Sequence, residues 1–347
     1  MTSRRGIGLS CACAVVLFAL AENAWAQDTA ALVERLHRAT AVNAIDDPQL
    51  KPWHLKLSFQ LFDAKGNPAE KGMIEEWWDG PSKEKTVYTS PFYTSTEIRT
   101  KDGFYRSKRT SYVPSFLESI LRQVVHPMPS ESDIVDSKPD LRKETFGKAA
   151  MDCIMLAQQI KNVAYAPLGL FPTYCFDRDT DSLRVSYDFG SQLILRNKVG
   201  TFQQRSVVVD QTILQNSITA VTAHVDALES IVPNESELAR PEDLEEVNPN
   251  PTMVASGVVA GLKISGLNPS YPEISRRDHV SGSVILRALI GSDGHIHSLK
   301  VISTPDANLA IASLTAVRQW TYKPYLLNGE PVAVDTQIKV NFALGTP

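Results

Sequence analysis

The stretch VAVDTQIKVNF, residues 332–342, carries the clearest structural pattern in this chain. Apolar side chains recur at nearly every second position: Val332, Val334, Ile338, Val340 and Phe342. Polar residues separate them, which gives the period of two that is typical of a strand with one buried face. At about 3.3 Å per residue the stretch extends about 36 Å, so it predicts a strand well above the usual length.

Shorter elements precede this strand and complete a small unit. Two further strands are expected at 284–290 and 296–302, joined by a turn at Ser292-Asp293-Gly294. A helix follows, with Thr304 as the expected cap and Pro305 in its first turn. Residues 254–347 are therefore expected to form one α+β unit of the order strand, strand, helix, strand.

The unit resembles the C-terminal domain of the TonB family of energy transducers over residues 270–344. The matching motifs are Tyr271-Pro272, Gly282, 291–294, Ala316-Val317-Arg318-Gln319-Trp320, Tyr322, Pro324, 327–332 and Val340-Asn341-Phe342. The resemblance implies a β-β-α-β fold in which the final strand recognises an extended peptide. In transducers that peptide belongs to an outer-membrane transporter.

The final strand is therefore the predicted partner-binding site. Addition of a peptide as a further strand would satisfy main-chain groups that an edge strand leaves open. The residues assigned to this site are Val332, Val334, Thr336, Ile338, Val340 and Phe342, together with Tyr271 and Pro272. The alternative is a purely structural strand, covered by 322–327 on one side and by a second copy of the chain on the other. A homodimer through the sheet edge would then result.

The N-terminus has the pattern of a secretory signal peptide. Arg4 and Arg5 precede an apolar run of about 14 residues, and Ala24-Trp25-Ala26 fits a cleavage site. We expect cleavage after residue 26 and a periplasmic protein. The alternative is an uncleaved inner-membrane anchor, as in a true transducer. Against it, residues 1–26 lack the histidine that the family's membrane helix carries, and no long Pro-rich spacer follows.

Residues 27–232 read as a mainly antiparallel β-meander with an inserted helix. The expected elements are a helix at 29–46, strands at 55–61, 73–78, 85–89, 94–100 and 104–108, a helix at 115–126, and strands at 153–159, 175–177, 183–189, 193–199, 206–209 and 218–228. The arrangement resembles the half-barrel of periplasmic lipoprotein carriers in architecture only. Aromatic pairs at 77–78, 92–93 and 104–105 would line a lipid cavity or simply form the core. A lipid or lipoprotein carrier is thus an alternative function.

Two further features concern the covalent and domain organisation. Cys153 and Cys175 remain after loss of the signal, and in an oxidising compartment they are expected to form a disulfide; two buried free thiols are the alternative. Residues 233–253 combine acidic side chains with prolines, which predicts a solvated linker between the two units.

Composition excludes several classes of function. The 347 residues are 43% hydrophobic with a net charge of -4, so no basic surface for nucleic acid is expected. We found no catalytic motif and expect no enzyme, cofactor or metal. His295 and His297 lie two apart beside a turn, which favours a solvated hairpin end over a metal site. The sequence predicts an exported, non-catalytic protein that binds an extended peptide of an envelope partner.

Overall fold

The computed structural model describes residues 29–107, 117–161, 163, 165–188, 192–236, 238–247 and 250–344. The expected signal peptide lies outside these residues. Residues 29–43 form helix α1. The strands of the first unit are β1 Trp53–Phe62, β2 Pro68–Trp78, β3 Glu84–Thr89, β4 Thr94–Thr100, β5 Gly103–Ser107, β6 Lys138–Phe146, β7 Ala149–Ala157, β8 Thr173–Asp177, β9 Leu183–Tyr187, β10 Gln192–Phe202, β11 Arg205–Gln215 and β12 Ile218–Ser230. Helices α2 (Leu117–Val125) and α3 (Glu131–Val135) lie between β5 and β6.

The first unit is one large antiparallel sheet around a helix. β1 to β5 and β6 to β12 each pair in chain order, and β1 joins the two runs by pairing with β12. Alternate residues of β1 are buried, as its sequence period predicts. Ile120 and Val124 of α2 pack with Leu57 and Ile74 in the main core of this unit. The predicted α+β fold class, with its mainly antiparallel meander, is confirmed.

The second unit is a four-stranded sheet with a helix on one face. Its elements are β14 Thr252–Met253, α4 Ser256–Ala260, β15 Lys263–Ser265, α5 Glu273–Arg277, β16 Gly282–Ile290, β17 Ile296–Ser303, α6 Ala307–Val317, β18 Thr321–Tyr322, β19 Tyr325–Leu327, β20 Glu330–Val332 and β21 Val334–Phe342. The sheet order is β14-β21-β16-β17, so β21 lies between β14 and β16. β16, β17, α6 and β21 give the expected β-β-α-β order.

Turn chemistry fixes the hairpins of this unit. Asn328 and Gly329 have φ values of 53° and 91°, as a two-residue turn joining β19 and β20 requires.

α6 differs from the prediction at its start. Asp306, rather than Thr304, is the cap, and its Oδ1 accepts the backbone N–H of Leu309 at 2.7 Å. Thr304 Oγ1 instead donates to the Asp306 carbonyl, so the helix begins two residues later than expected.

The connecting segment, residues 233–253, is more ordered than its composition suggested. Part of it, Leu244–Glu246, forms strand β13, which pairs with β5 at the edge of the large sheet. Leu244 is buried there with Ile98 and Tyr105. β14, at the other end of the segment, pairs with β21. The segment is therefore held by both units instead of being wholly solvated.

The two units also share a hydrophobic core. The connection between β7 and β8 carries Leu170 and Phe171, which belong to the same buried cluster as Leu299 and Val301 of β17. The predicted disulfide is confirmed at the base of this connection. Cys153 and Cys175 are register partners on β7 and β8, and both are fully buried.

Candidate functional site at the edge of the C-terminal sheet

The two outer strands of the four-stranded sheet lie in different environments. β17 packs against the first unit, where Leu299 and Val301 line a crevice with Leu170 and Phe171. A salt bridge between Lys300 and Asp133 of α3 adds a polar contact there. On the opposite side of the sheet, β14 pairs with β21 over two residues, and α4 follows it beside β21.

A second polar contact joins the two units at the end of α6. The Arg318 guanidinium donates to the side-chain oxygen of Gln192 at 2.5 Å. Burial lowers the pKa of Arg318 to about 10, and the nearby Asp188 carboxylate opposes part of that shift. Because β16 separates β21 from β17 in the sheet, the outer edge of β21 faces away from this interface.

The apolar face of β21 is committed to the core of the unit. Val334, Ile338 and Val340 are buried in the same cluster as Leu309 and Leu314 of α6. Thr336 is also buried, and its Oγ1 donates to the Val254 carbonyl at 2.8 Å. These side chains hold the strand in place and do not face solvent.

The outer edge of β21 presents main-chain groups. The N–H groups of Thr252 and Val254 donate to the carbonyls of Ala333 and Asp335, at 2.7 and 3.1 Å, which shows that odd-numbered residues point their main chain away from β16. Pairing with β16 has no register shift from Val334 to Phe342, so this alternation continues along the strand.

Beyond Asp335 the main-chain groups of this edge are not paired in the sheet that the structure describes, and helix α4, which follows β14, lies close to β21. By the same alternation Gln337, Lys339 and Asn341 direct their N–H and C=O groups outward, and all three side chains are exposed. Among the described residues, no backbone hydrogen bond reaches these groups. Unpaired strand edges of this kind are templates for another extended chain.

The structure thus places the sequence-predicted site residues in two roles. Val334, Thr336, Ile338, Val340 and Phe342 lie on the predicted strand, but their side chains face the core and their main chains pair with β16. Val332 lies in β20, where it pairs with Tyr325, because the extended stretch is divided into two strands, β20 and β21. The groups available to a partner belong to the alternate residues, which the prediction did not assign to the site.

Tyr271 and Pro272 lie at the far end of β21. The Tyr271 ring contacts Phe342 edge-on, with a centroid distance of 5.3 Å and an interplanar angle of 82°. Its hydroxyl donates to the Val280 carbonyl at 2.5 Å. Pro272 is the cap residue of α5. These two residues therefore fasten the end of the strand, and partner contact by either stays a prediction.

Charged and polar side chains cover the outer face of β21. The Arg287 guanidinium makes hydrogen bonds to both carboxylate oxygens of Asp335, with Nη2 at 2.5 Å from Oδ2. Ser283 Oγ donates to Asn341 Oδ1 at 2.8 Å. The open part of the edge thus carries one charged side chain, that of Lys339. This polarity limits non-specific pairing of the edge.

The two histidines near the hairpin turn have a structural partner that the sequence analysis did not assign. His297 Nε2 lies 3.0 Å from Asp293 Oδ2, and the His295 backbone N–H donates to Asp293 Oδ1 at 3.0 Å. Burial would raise the pKa of Asp293, but the hydrogen bond and charge of His297 hold it below its usual value. In the described part of the chain, no group of three or more His, Cys, Asp or Glu is arranged to hold a metal ion.

Comparison with known proteins identifies the C-terminal unit. The model of the Gram-negative bacterial TonB protein C-terminal family matches residues 267–344. Protein TonB of Xanthomonas campestris pv. campestris is 32% identical over 93 residues, which are 26% of this chain and 42% of that protein. Protein TonB of Vibrio cholerae serotype O1 is 26% identical over 103 residues, covering 27% of this chain and 42% of that protein. The chain spans less than half the length of these relatives. Residues 267–344 are a TonB C-terminal domain.

The solved structures that match this chain are more distant. A putative outer membrane lipoprotein-sorting protein domain from Vibrio parahaemolyticus has a TM-score of 0.39 and 10% identity, and covers 59% of this chain and 95% of its own. A LolA superfamily protein from Nitrosomonas europaea has a TM-score of 0.38 and 9% identity, covering 60% and 96%. Scores at this level assign no function. The carrier alternative for the first unit stays a prediction, and Trp78, which would line its cavity, stacks on Trp53 within the core.

Proposed function

We propose that the TonB C-terminal domain of this chain binds an extended segment of an envelope partner as an added strand on the open edge of β21. The outward main-chain groups of Gln337, Lys339 and Asn341 are the observation that carries this proposal. They offer alternating donors and acceptors at the spacing that an extended chain presents. The proposed role is non-catalytic.

The geometry favours binding without rearrangement of β21 or of the core beneath it. The core face of β21 is already packed, and β16 holds its inner edge along the whole strand, so the outer edge is fixed before a partner arrives. A preorganised site avoids the cost of ordering the protein side of the interface. Each main-chain hydrogen bond gained is worth about 0.5–1.5 kcal/mol net, so several in a row are required for useful affinity.

The relatives support a role in the cell envelope. The matched family is Gram-negative and bacterial, and both curated relatives are TonB proteins. The charged start, apolar run and Ala24-Trp25-Ala26 fit export through a cleaved signal. None of the helices in the described residues is long and apolar enough to cross a membrane. We therefore propose a periplasmic location, with an outer-membrane transporter as the source of the bound segment.

The test uses the full chain and an array of nine-residue peptides covering the periplasm-facing segments of outer-membrane transporters from the same genome. Lys339→Pro removes one outward N–H, and proline is tolerated at the open side of an edge strand. We expect it to weaken binding of the tightest peptide at least tenfold. Lys339→Ala keeps the main chain and should change the affinity less than threefold.

A second measurement locates the bound peptide. Hydrogen exchange of the Gln337, Lys339 and Asn341 amides should slow when the peptide saturates the wild-type protein. Val340→Pro is unsuited to this test, because the Val340 main chain pairs with Val284 inside the sheet. An array without a binder, or a bound peptide that leaves the three outward amides unprotected, would refute the proposal.

A further inference from the structure

We infer that β14 is a built-in competitor for the partner site, and that it leaves β21 when a partner strand binds. This inference rests on the proposed function. β14 occupies the beginning of the edge that the partner would extend along, at Ala333 and Asp335. The chain thus covers part of its own docking edge with residues of the connecting segment.

The hold of β14 on the edge is short. Its pairing extends over two residues, Thr252 with Val334 and Met253 with Asp335. The hydrogen bonds that secure it include those from the Thr252 and Val254 N–H groups and that from Thr336 Oγ1 to the Val254 carbonyl. The Met253 side chain is 76% exposed and adds no burial, while Val254 packs only partly against the core.

A longer partner strand can form more main-chain hydrogen bonds with the same edge than β14 does. β14 uses the outward groups at positions 333 and 335, whereas a longer strand would also reach those at 337, 339 and 341. A longer strand in place of β14 can therefore form the main-chain hydrogen bonds at positions 333 and 335 and add those at the positions that β14 does not reach. Exchange of a short strand for a longer one is favourable by the added main-chain hydrogen bonds.

Release of β14 need not unfold either unit. Upstream, the connecting segment is held independently, because β13 pairs with β5 and the Val247 N–H donates to the Phe104 carbonyl at 2.8 Å. Downstream, Val259 of α4 is buried in the core of the C-terminal unit. Both anchors lie outside the pairs that β14 makes with β21, so these pairs can open alone.

The first experiment locks β14 onto β21 with a disulfide between Met253→Cys and Asp335→Cys, which are register partners. The probe is the tightest array peptide, and the controls are both single variants and the reduced double variant. Mild reductant opens the introduced bond first, because the Cys153–Cys175 bond is fully buried. We expect at least tenfold weaker binding in the locked form, restored on reduction. Equal affinity of the two forms would overturn the inference, and a peptide still sensitive to Lys339→Pro would leave the proposed function standing.

The second experiment weakens β14 instead. Thr252→Pro removes the N–H that donates to Ala333, and Thr252→Ala keeps it. Loss of this hydrogen bond should make the probe bind about threefold to tenfold more tightly, while Thr252→Ala stays near wild type. Unchanged or weaker binding of Thr252→Pro would show that the partner docks beside β14.

A third readout requires no peptide. The Thr252 and Val254 amides should exchange with solvent at least a hundredfold faster than that of Leu286 in the middle of β16, because opening of β14 is local. Exchange as slow as at Leu286 would overturn the inference even if the array gave no binder.

Discussion

Removal of the Cys153–Cys175 disulfide should destabilise both units, because the bond closes the base of the connection that joins them. The cysteines lie 22 positions apart, and a closed loop of that length gives about 3 kcal/mol of stabilisation on the chain-entropy model. With an unfolding entropy of about 2.1 cal/mol/K per residue, this loss corresponds to a fall in Tm of about 4 °C for the 347-residue chain. Leu170 and Phe171 lie between the two cysteines, so the loosened connection should also release its contact with β17.

The assay compares wild type with the Cys153→Ala/Cys175→Ala variant by guanidinium unfolding, followed by far-UV circular dichroism and by tryptophan fluorescence. Coincident transitions are required before a single free energy of unfolding is assigned. Wild type unfolded in the presence of a phosphine reductant is the matched control, since it loses the bond without losing side-chain atoms. Hydrogen exchange at the Leu170, Phe171 and Leu299 amides should accelerate both in the double variant and in the reduced wild type. If the free energy of unfolding falls by less than about 1 kcal/mol at an unchanged m-value, the disulfide does not stabilise this connection as argued.

Two further predictions concern single side chains. Glu76 is buried with its Oε2 unpaired, and burial, followed by the charges of Glu84, Asp46 and Glu97, raises its pKa well above the usual value. Because the folded state then keeps a proton that the unfolded state loses, stability should fall by up to about 1.4 kcal/mol per pH unit above about pH 4.5, and Glu76→Gln should remove this slope; a difference between variant and wild type that stays constant from pH 5 to pH 8 in urea unfolding would contradict this. Asp306→Ala removes the cap of α6 and should cost about 1 kcal/mol in thermal unfolding, whereas Asp306→Asn, which keeps an acceptor for the Leu309 N–H, should cost less; equal losses would show that the cap hydrogen bond is not the cause.

The strands with one buried face could be predicted from sequence because a local period fixes them. β1 and β21 alternate so regularly that apolar positions alone indicate which side chains lie inside. The turn at Asn328-Gly329 was also predictable, since few other pairs adopt two positive φ values. These features depend on neighbours in the chain rather than on distant partners.

The open edge was harder to predict, because it depends on which strands flank β21. Alternation shows where side chains point, but the main chain of Lys339 is known to face outward only once the pairing with β16 and β14 is known. The side-chain pattern therefore pointed to Val340 and Phe342, whose side chains are buried in the core and whose main chains pair with β16. To predict that the odd-numbered residues of β21 form the outer edge, one would have needed the register of β21 with β16 and β14.

The short strands of the connecting segment carried no usable local signal. β13 contains Leu244 followed by two glutamates, and its pairing with β5 depends on contacts that are remote in sequence. Acidic and proline-rich composition predicted a solvated linker here. It could not reveal that Leu244 reaches a small core formed with Ile98 and Tyr105. Tertiary contacts therefore determine the structure of this segment, although its composition is typical of a solvated linker.

The apolar cluster that Leu170 and Phe171 share with β17 has a consequence for how such a chain can be shortened. A fragment beginning near residue 254 would expose Leu299 and Val301 to water and would be prone to self-association. Recombination that moved this module to another gene would meet the same penalty unless a replacement surface came with it. Each half therefore shields apolar surface of the other at β17.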